Sequence, residues 1–425
     1  MKNSFGGDIM TEKNTELSSH CIFFIKQPIL DVNRSIWGYE LQGGELKDGI
    51  YEVFPQQDSA SGLSSSTYLG LQEAMERGKQ IMVGFDEAGI LTGIPHALPP
   101  ASGVVRVLPG ETYDPGLAPA LERLRNDGYQ TALEFIPGRS IPDELYSLAD
   151  IVSIDLSLGK PDQSWLVRKT PRPPRMLARG VKTQDQFQSA RDLGFALFQG
   201  PFFKEPEYVR NRQLGSNEVA RLNLLRLLEA EDADVNVLAG AIRSDVSVSF
   251  RLLSYLNSAW FGRKQNIQSI DQAIMLLGWT KLRSWLRALL FVDLAGKEEV
   301  PQELAVLSLN RGKFLELLAM KVDYWGFNPN TLFLLGLFSL MDSILGMPME
   351  KVVELLPLEA KLKAALRRDP NNEYRPLFEL LESLEDGDWS ALEILTQKLF
   401  LDLNLIKENF AQARDWAGSF FTQAE

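Results

Sequence analysis

Histidine is nearly missing from this chain: His20 and His96 are its only two in 425 residues. Any site formed by the second half must therefore work without an imidazole, the side chain that most often binds a transition metal or moves a proton near neutral pH. Cysteine is scarcer still, because Cys21 stands alone. An internal disulfide is excluded, and such poverty suits a reducing compartment, so a cytoplasmic protein is expected. Positive charge is in deficit, with 44 Lys and Arg against 56 Asp and Glu, a net charge of -12 and a pI near 5.0. A surface of that sign repels phosphate, so no DNA partner is expected. Long apolar runs are missing too. The greasiest, Leu332 to Met347, contains Asp342 and two serines and falls short of the roughly 20 residues that span a bilayer. It reads as a buried helix, and no membrane partner is expected. Residues 1–20 hold no apolar run of the length secretion requires. They are polar and rich in Gly and Ser, which predicts disorder, and either Met1 or Met10 can serve as the native start.

Hydrophobic residues at 45% and charged residues at 24% match an ordinary globular protein, and the length predicts two domains of about 200 residues each. In the first half, short β-rich runs alternate with amphipathic ones. Strands are expected at Ile22–Ile25, Ile36–Leu41, Ile81–Phe85, Val104–Leu108, Gln130–Phe135, Ile151–Ile154 and Phe195–Phe198. Helices are expected at Thr67–Arg77, Leu117–Asn126 and Thr183–Asp192. That alternation predicts βα units in a parallel, TIM-like barrel, whose sites lie at the C-terminal ends of the strands. After Pro206 the texture becomes Leu- and Ala-rich with helical periodicity, which predicts an all-α domain. The expected division is a disordered 1–20, a barrel over 21–210, a linker over 211–217 and a helical domain over 218–425.

Gln27-Pro28-Ile29 and Gly38-Tyr39-Glu40-Leu41 resemble the opening of an EAL domain, the cyclic di-GMP phosphodiesterase barrel. Leu193-Gly194-Phe195, then Phe198-Gln199-Gly200-Pro201-Phe202-Phe203 and Pro206, resemble its closing segment. The resemblance implies a cage of carboxylates and an Asn holding two divalent cations, which turn a bridging water into a nucleophile. Glu40 matches the signature glutamate. Elsewhere the match fails: Gly84 stands where the Asn is expected, Arg106 and Pro109 near an ExxE pair, and Glu134-Phe135 at a paired Asp-Asp. Ser153 replaces the Lys of a DxxKID segment running from Asp150 to Asp155, and Arg179 and Lys182 replace the glutamates of a segment like AEGVET. Cations beside a metal site repel metal. The remnant ligand-binding set is Glu40, Arg106, Glu134, Asp150, Asp155, Arg179, Lys182 and Gln199, with no catalytic residue, metal or cofactor expected.

The second half resembles the HDOD domain, a relative of HD phosphohydrolases whose metal is held by His and Asp. The carriers are Asp245, Leu252-Leu253, Leu256-Asn257-Ser258-Ala259, Ser269-Ile270, Leu276-Leu277-Gly278 and Leu335 to Asp342. In the segment similar to GLLHD, Ser339 and Leu340 take the metal-ligand places, so the resemblance implies an all-helical HD-related fold without its metal. Two altered sites in one chain imply a non-enzymatic regulator that binds regulatory proteins. Weak cyclic di-GMP binding without hydrolysis, residual phosphodiesterase activity and a homo-oligomer stay open. One further run, Lys160 to Lys182, is basic and broken by four prolines. It is expected to be a stiffened loop, with Arg168, Lys169, Arg172 and Arg175 as candidate partner contacts.

Overall fold

The computed structural model describes residues 21–47, 50–53, 78–108, 110, 112–158, 172–208, 212–230, 235–256, 269, 272, 274–275, 278–322 and 326–421. The expected disorder of 1–20, the helix at Thr67–Arg77 and the candidate contacts Arg168 and Lys169 lie outside these.

Among the described residues, the first half forms nine strands: β1 Cys21–Asp31, β2 Ile36–Lys47, β3 Ile50–Val53, β4 Gln80–Phe85, β5 Gly103–Val107, β6 Gln130–Phe135, β7 Ile151–Asp155, β8 Arg175–Arg179 and β9 Leu197–Gln199. Their order is β1-β9-β8-β7-β6-β5-β4-β2-β3, and β1 also pairs with β2. Eight strands thus close into a barrel, with β3 appended to β2 as a hairpin. Strands β2 and β4 to β9 run parallel, whereas β1 is antiparallel to both of its neighbours. The β1–β2 turn is closed by the Asp31 carboxylate, which accepts from the amides of Asn33 and Ser35 at 2.8 and 2.9 Å.

Successive side chains on a strand face opposite ways, and this sequence uses both faces. Ile29, Met82, Val104, Ala132, Ile151, Leu177 and Leu197 come from seven different strands and make one apolar layer inside the barrel, none more than 1% exposed. Outward residues such as Val105, Val107, Leu133 and Val152 join an outer core with helices α1 Glu87–Leu91, α2 Leu117–Asn126, α3 Asp143–Leu148 and α4 Gln184–Asp192.

Residues 175–179 correct the expectation of a basic loop. They form a full barrel strand between β7 and β9. Its apolar centre, Met176-Leu177-Ala178, is three residues long and flanked by arginines, so the charge run hid it. Arg172 is exposed as expected, but Arg175 is half-buried, lies over the Trp37 ring at 4.7 Å and donates to Gln130 Oε1 at 2.9 Å.

The second half is helical: α5 Ser216–Glu229, α6 Val235–Ser244, α7 Val246–Leu256, α8 Trp279–Ala295, α9 Glu299–Lys321, α10 Pro329–Phe338, α11 Met341–Leu345, α12 Met349–Val352, α13 Ala360–Leu366, α14 Arg375–Asp386, α15 Trp389–Leu399 and α16 Leu403–Gly418. Asn328 caps α10 by accepting from the amides of Asn330 and Thr331, with Pro329 at the first helical position. The apolar run from Leu332 is therefore two buried helices, α10 and α11, parted at Ser339-Leu340. Among the described residues no helix is long and apolar enough to cross a membrane. Helices α9 and α10 cross with their backbones touching. A Cβ on Gly336 would sit 2.3 Å from Gly312 N, and one on Gly312 would sit 2.8 Å from Phe333 O.

The helical half docks on β1, β2 and the end of the barrel. At one end of the contact Glu299 accepts from Ile36 N at 2.9 Å and from Lys79 Nζ at 2.6 Å, and Tyr39 Oη donates to Glu303 at 3.0 Å. At the other, Lys204 reaches α14 at 2.9 Å from Glu385 and 3.0 Å from Asp386.

Candidate functional site

The period-two rule locates the site. Two residues beyond the apolar layer, toward the mouth, stand Gln27 on β1, Gly84 on β4, Arg106 on β5, Glu134 on β6, Ser153 on β7, Arg179 on β8 and Gln199 on β9. Glu40, on β2, completes the ring. This second layer is polar and closely paired. Glu40 is fully buried. Its Oε1 lies 3.0 Å from Arg106 Nε, and its Oε2 is 3.1 Å from Arg179 Nη2 and accepts from Gln199 Nε2 at 2.6 Å. Arg106 also holds Glu134 at 2.7 Å, and Arg179 lies 3.6 Å from the same carboxylate. The geometry is cross-braced, because Arg179 Nε donates to Gln199 Oε1 at 2.9 Å.

Two carboxylates and two guanidiniums sum to zero, which is how charge is tolerated inside a barrel. Burial by itself would raise the Glu40 pKa. The Arg106 and Arg179 charges outweigh it, helped by hydrogen bonds from Gln199 and Gln42, and hold the carboxyl down at about 2. For Arg179, burial favours losing the proton, but Glu40, Glu134 and Asp155 together push its pKa up.

Gly84 gives Arg106 its room. A Cβ at residue 84 would come within 2.9 Å of Leu108 Cδ2 and 3.1 Å of Arg106 Nη2. Gly84, where an Asn ligand was expected, and Arg106, near the expected ExxE pair, thus fit one another in space. Ser153, buried at the place of the expected Lys, donates to Leu133 O at 3.3 Å.

The metal implied by the resemblance to EAL enzymes does not fit these residues. Each oxygen of Glu40 already faces a guanidinium, and a divalent ion would have to displace fixed positive charge to reach it. Among the described residues no group of three His, Cys, Asp or Glu is placed to hold a metal ion.

Of the sequence-predicted residues, Glu40, Arg106, Glu134, Arg179 and Gln199 form the layer. Asp155 stands one step further out, its Oδ1 accepting from Ser157 N at 2.8 Å. Lys182 is exposed at the rim. Asp150 is a correction: it precedes β7 at the opposite end of the barrel, where its carboxylate accepts from Thr131 N at 3.0 Å. Strand β7 begins just after Asp150 and ends on Asp155, which carries the two acids to opposite ends. Sequence reasoning missed Gln27 and Gln42. Gln27 Oε1 accepts from Gln199 Nε2 at 3.3 Å and Gln42 Nε2 at 3.4 Å; its place in the Gln27-Pro28-Ile29 motif was the available signal.

Outward from the layer opens a cleft of about 1260 Å³ walled by both halves, with Asp155, Arg179 and Lys182 on the barrel side and Asn310, Lys398 and Arg414 on the helical side. A second charged cluster surrounds Ser339, which stands at a metal-ligand position of the HD phosphohydrolases. Ser339 donates to Gly336 O at 2.7 Å and accepts from Arg311 Nη1 at 3.0 Å. Arg311 is buried and grips Glu385 with two bonds of 2.6 and 2.7 Å. Burial would raise the Glu385 pKa, but Arg311 and Lys204 hold it at about 2. At Glu40 and at Glu385 alike, the buried carboxylate is paired with the chain's own cations.

An HDOD domain is recognised over residues 216–360. The chain is 30% identical over 404 residues, 93% of its length and 98% of the relative's, to the uncharacterized protein YuxH of Bacillus subtilis. It is 29% identical over 419 residues, 95% of its length and 94% of the relative's, to the cyclic di-GMP phosphodiesterase CdgJ of Vibrio cholerae. The solved Bacillus subtilis YkuI protein, with an EAL domain, in complex with c-di-GMP and calcium, superposes with a TM-score of 0.36 at 16% identity, covering 60% of this chain and 70% of that one. A barrel followed by an HDOD domain defines the class of EAL–HDOD proteins. This chain belongs to that family, together with YuxH.

Proposed function

We propose that this protein is a catalytically inactive bacterial signal-transduction regulator, cytoplasmic, that works through protein–protein contacts made by its barrel and helical halves. The observation that carries the reading is the Glu40 carboxylate, closed on both oxygens by Arg106, Arg179 and Gln199. Two-metal hydrolysis needs carboxylates free to bridge cations and a water between them. Here the signature carboxylate neutralises the protein's own arginines. Family membership alongside CdgJ supports a place in cyclic di-GMP signalling. A cleft of about 1260 Å³ walled by both domains offers a partner's side chains a recess.

The test is the purified full chain with labelled cyclic di-GMP and Mg²⁺ or Mn²⁺. No turnover is expected with either ion. Metal-dependent turnover that disappears in Glu40→Gln would overturn the reading. A second reading, a sensor that binds cyclic di-GMP without cleaving it, rests on Lys182, exposed at the rim of the cleft beside the polar layer, where a cation suits phosphate oxygens. Equilibrium binding without turnover in the same samples selects it.

A further inference from the structure

We infer that the barrel mouth and the helical core form one coupled unit, joined through Gln27 and latched by Lys204. Lys204 ends the 3-10 turn Pro201–Lys204 that follows β9. Its ammonium bonds Glu385 and Asp386 of α14 at 2.9 and 3.0 Å, and its carbonyl accepts from Ser343 Oγ at 2.5 Å. Glu385 and Arg311 are almost wholly enclosed, their side chains 4% and 2% exposed. The cluster is neutral only with the barrel's lysine included: Arg311 and Lys204 against Glu385 and Asp386. The neighbouring pair Arg368–Glu382, at 2.8 Å, is neutral by itself. Without Lys204, Glu385 keeps Arg311 but loses the second of its two cations, and Asp386, whose side chain is 40% exposed, loses its contact with the barrel.

A hydrogen-bonded chain also runs from this cluster into the barrel. Gln27 Nε2 donates to Glu385 O at 3.1 Å, Gln27 Oε1 accepts from Gln199 Nε2 at 3.3 Å, and the same Gln199 amide holds Glu40 at 2.6 Å. Glu385 continues through Arg311 to Ser339 at the end of α10. Glu40 and Ser339 are therefore linked by polar contacts that meet at Glu385, its backbone carbonyl bonded toward the barrel and its carboxylate toward Arg311. Anything entering the mouth that takes the Gln199 amide also loosens Gln27 and the α14 end of the helical half. Coupling between sites is an energy that runs both ways, so the helical half in turn sets how firmly the mouth is braced. This gives the proposed regulator a means of transmitting occupancy without catalysis.

The experiment is hydrogen exchange on the full chain. Gln199→Leu changes a residue of the barrel layer, yet it is expected to lower protection of the α14 amides at least tenfold, and to lose most of that effect in a Gln27→Leu background. Lys204→Met is expected to lower α14 protection by a similar factor, and Lys204→Arg to restore it. If Gln199→Leu does not fold, Arg179→Lys serves in its place, since it keeps the charge but lacks the Nε–H donated to Gln199. Protection of α14 unchanged within twofold in the barrel-layer variant, or an equal loss with and without Gln27, overturns the coupling. Cyclic di-GMP turnover bears on catalytic silence alone, so failure of either idea is distinguishable from failure of the other.

Discussion

Glu40 on β2 and Arg179 on β8 are 139 residues apart in the chain and 3.1 Å apart in the fold. The barrel's closure alone brings them together, and Arg106 meets the same carboxylate from the β5 side at 3.0 Å. Breaking a buried ion cluster from one side leaves the other side charged and unsolvated. Glu40→Gln should therefore destabilise the protein by about 3 kcal/mol, a structural role unlike that of a metal ligand. Urea denaturation of the two proteins, compared by midpoint at equal slope, measures it; a change below about 1 kcal/mol would show that the arginines do not depend on Glu40.

Gly84 and Arg106 should be energetically linked. Gly84→Ala is expected to cost about 1 kcal/mol in the native protein, because its Cβ approaches Arg106 Nη2 and Leu108 Cδ2. In an Arg106→Ala background that cost should fall, with the Leu108 contact keeping the remainder. The interaction energy of the double-mutant cycle is the readout, and additivity within about 0.3 kcal/mol would separate the two positions.

Acid stability follows from the two depressed carboxyls. Glu40 and Glu385 sit at about 2 against an ordinary 4.5. A carboxyl whose folded pKa is lowered contributes stability that is fully present above the unfolded value and lost as pH falls through the folded one. The contribution should thus be complete above about pH 4.5 and drain away between there and about pH 2, on the order of 3 kcal/mol for each group. In Glu40→Gln the slope of unfolding free energy against pH should flatten across that window. Parallel curves for the variant and the native protein would contradict it.

Arg172 and Arg175 should part company when reversed to Glu. Arg175 packs on Trp37 and bonds Gln130, with the Asp150 charge nearby, so Arg175→Glu should cost about 1–2 kcal/mol. Arg172 is exposed, and Arg172→Glu should stay within about 0.5 kcal/mol. Thermal melts of the two single variants decide it; equal effects would mean that Arg175 is surface after all.

Much of this was legible in the sequence because it depends on local pattern. The βα alternation, the switch to helical periodicity after Pro206, and Gly84, Arg106, Ser153, Arg179 and Lys182 at or near the expected site positions are all readable residue by residue. Strand β8 was not legible, because three apolar residues between two arginines carry too weak a period-two signal beside four prolines. Asp150 and Asp155 looked like one motif, yet a strand of five residues puts them at opposite ends of the barrel.

The sequence by itself determined the inventory: a second half without histidine, a lone cysteine, one signature glutamate and arginines where acids were expected. Only the tertiary structure decided what those residues do to each other. Barrel closure turned Arg106 and Arg179 into the neutralising partners of Glu40 and Glu134, and domain docking carried Lys204 to a glutamate 181 positions away. Charge pairing falls off within a few ångströms in a low-dielectric interior, so which cation meets which carboxylate is set by the fold, however plainly both are written in the chain.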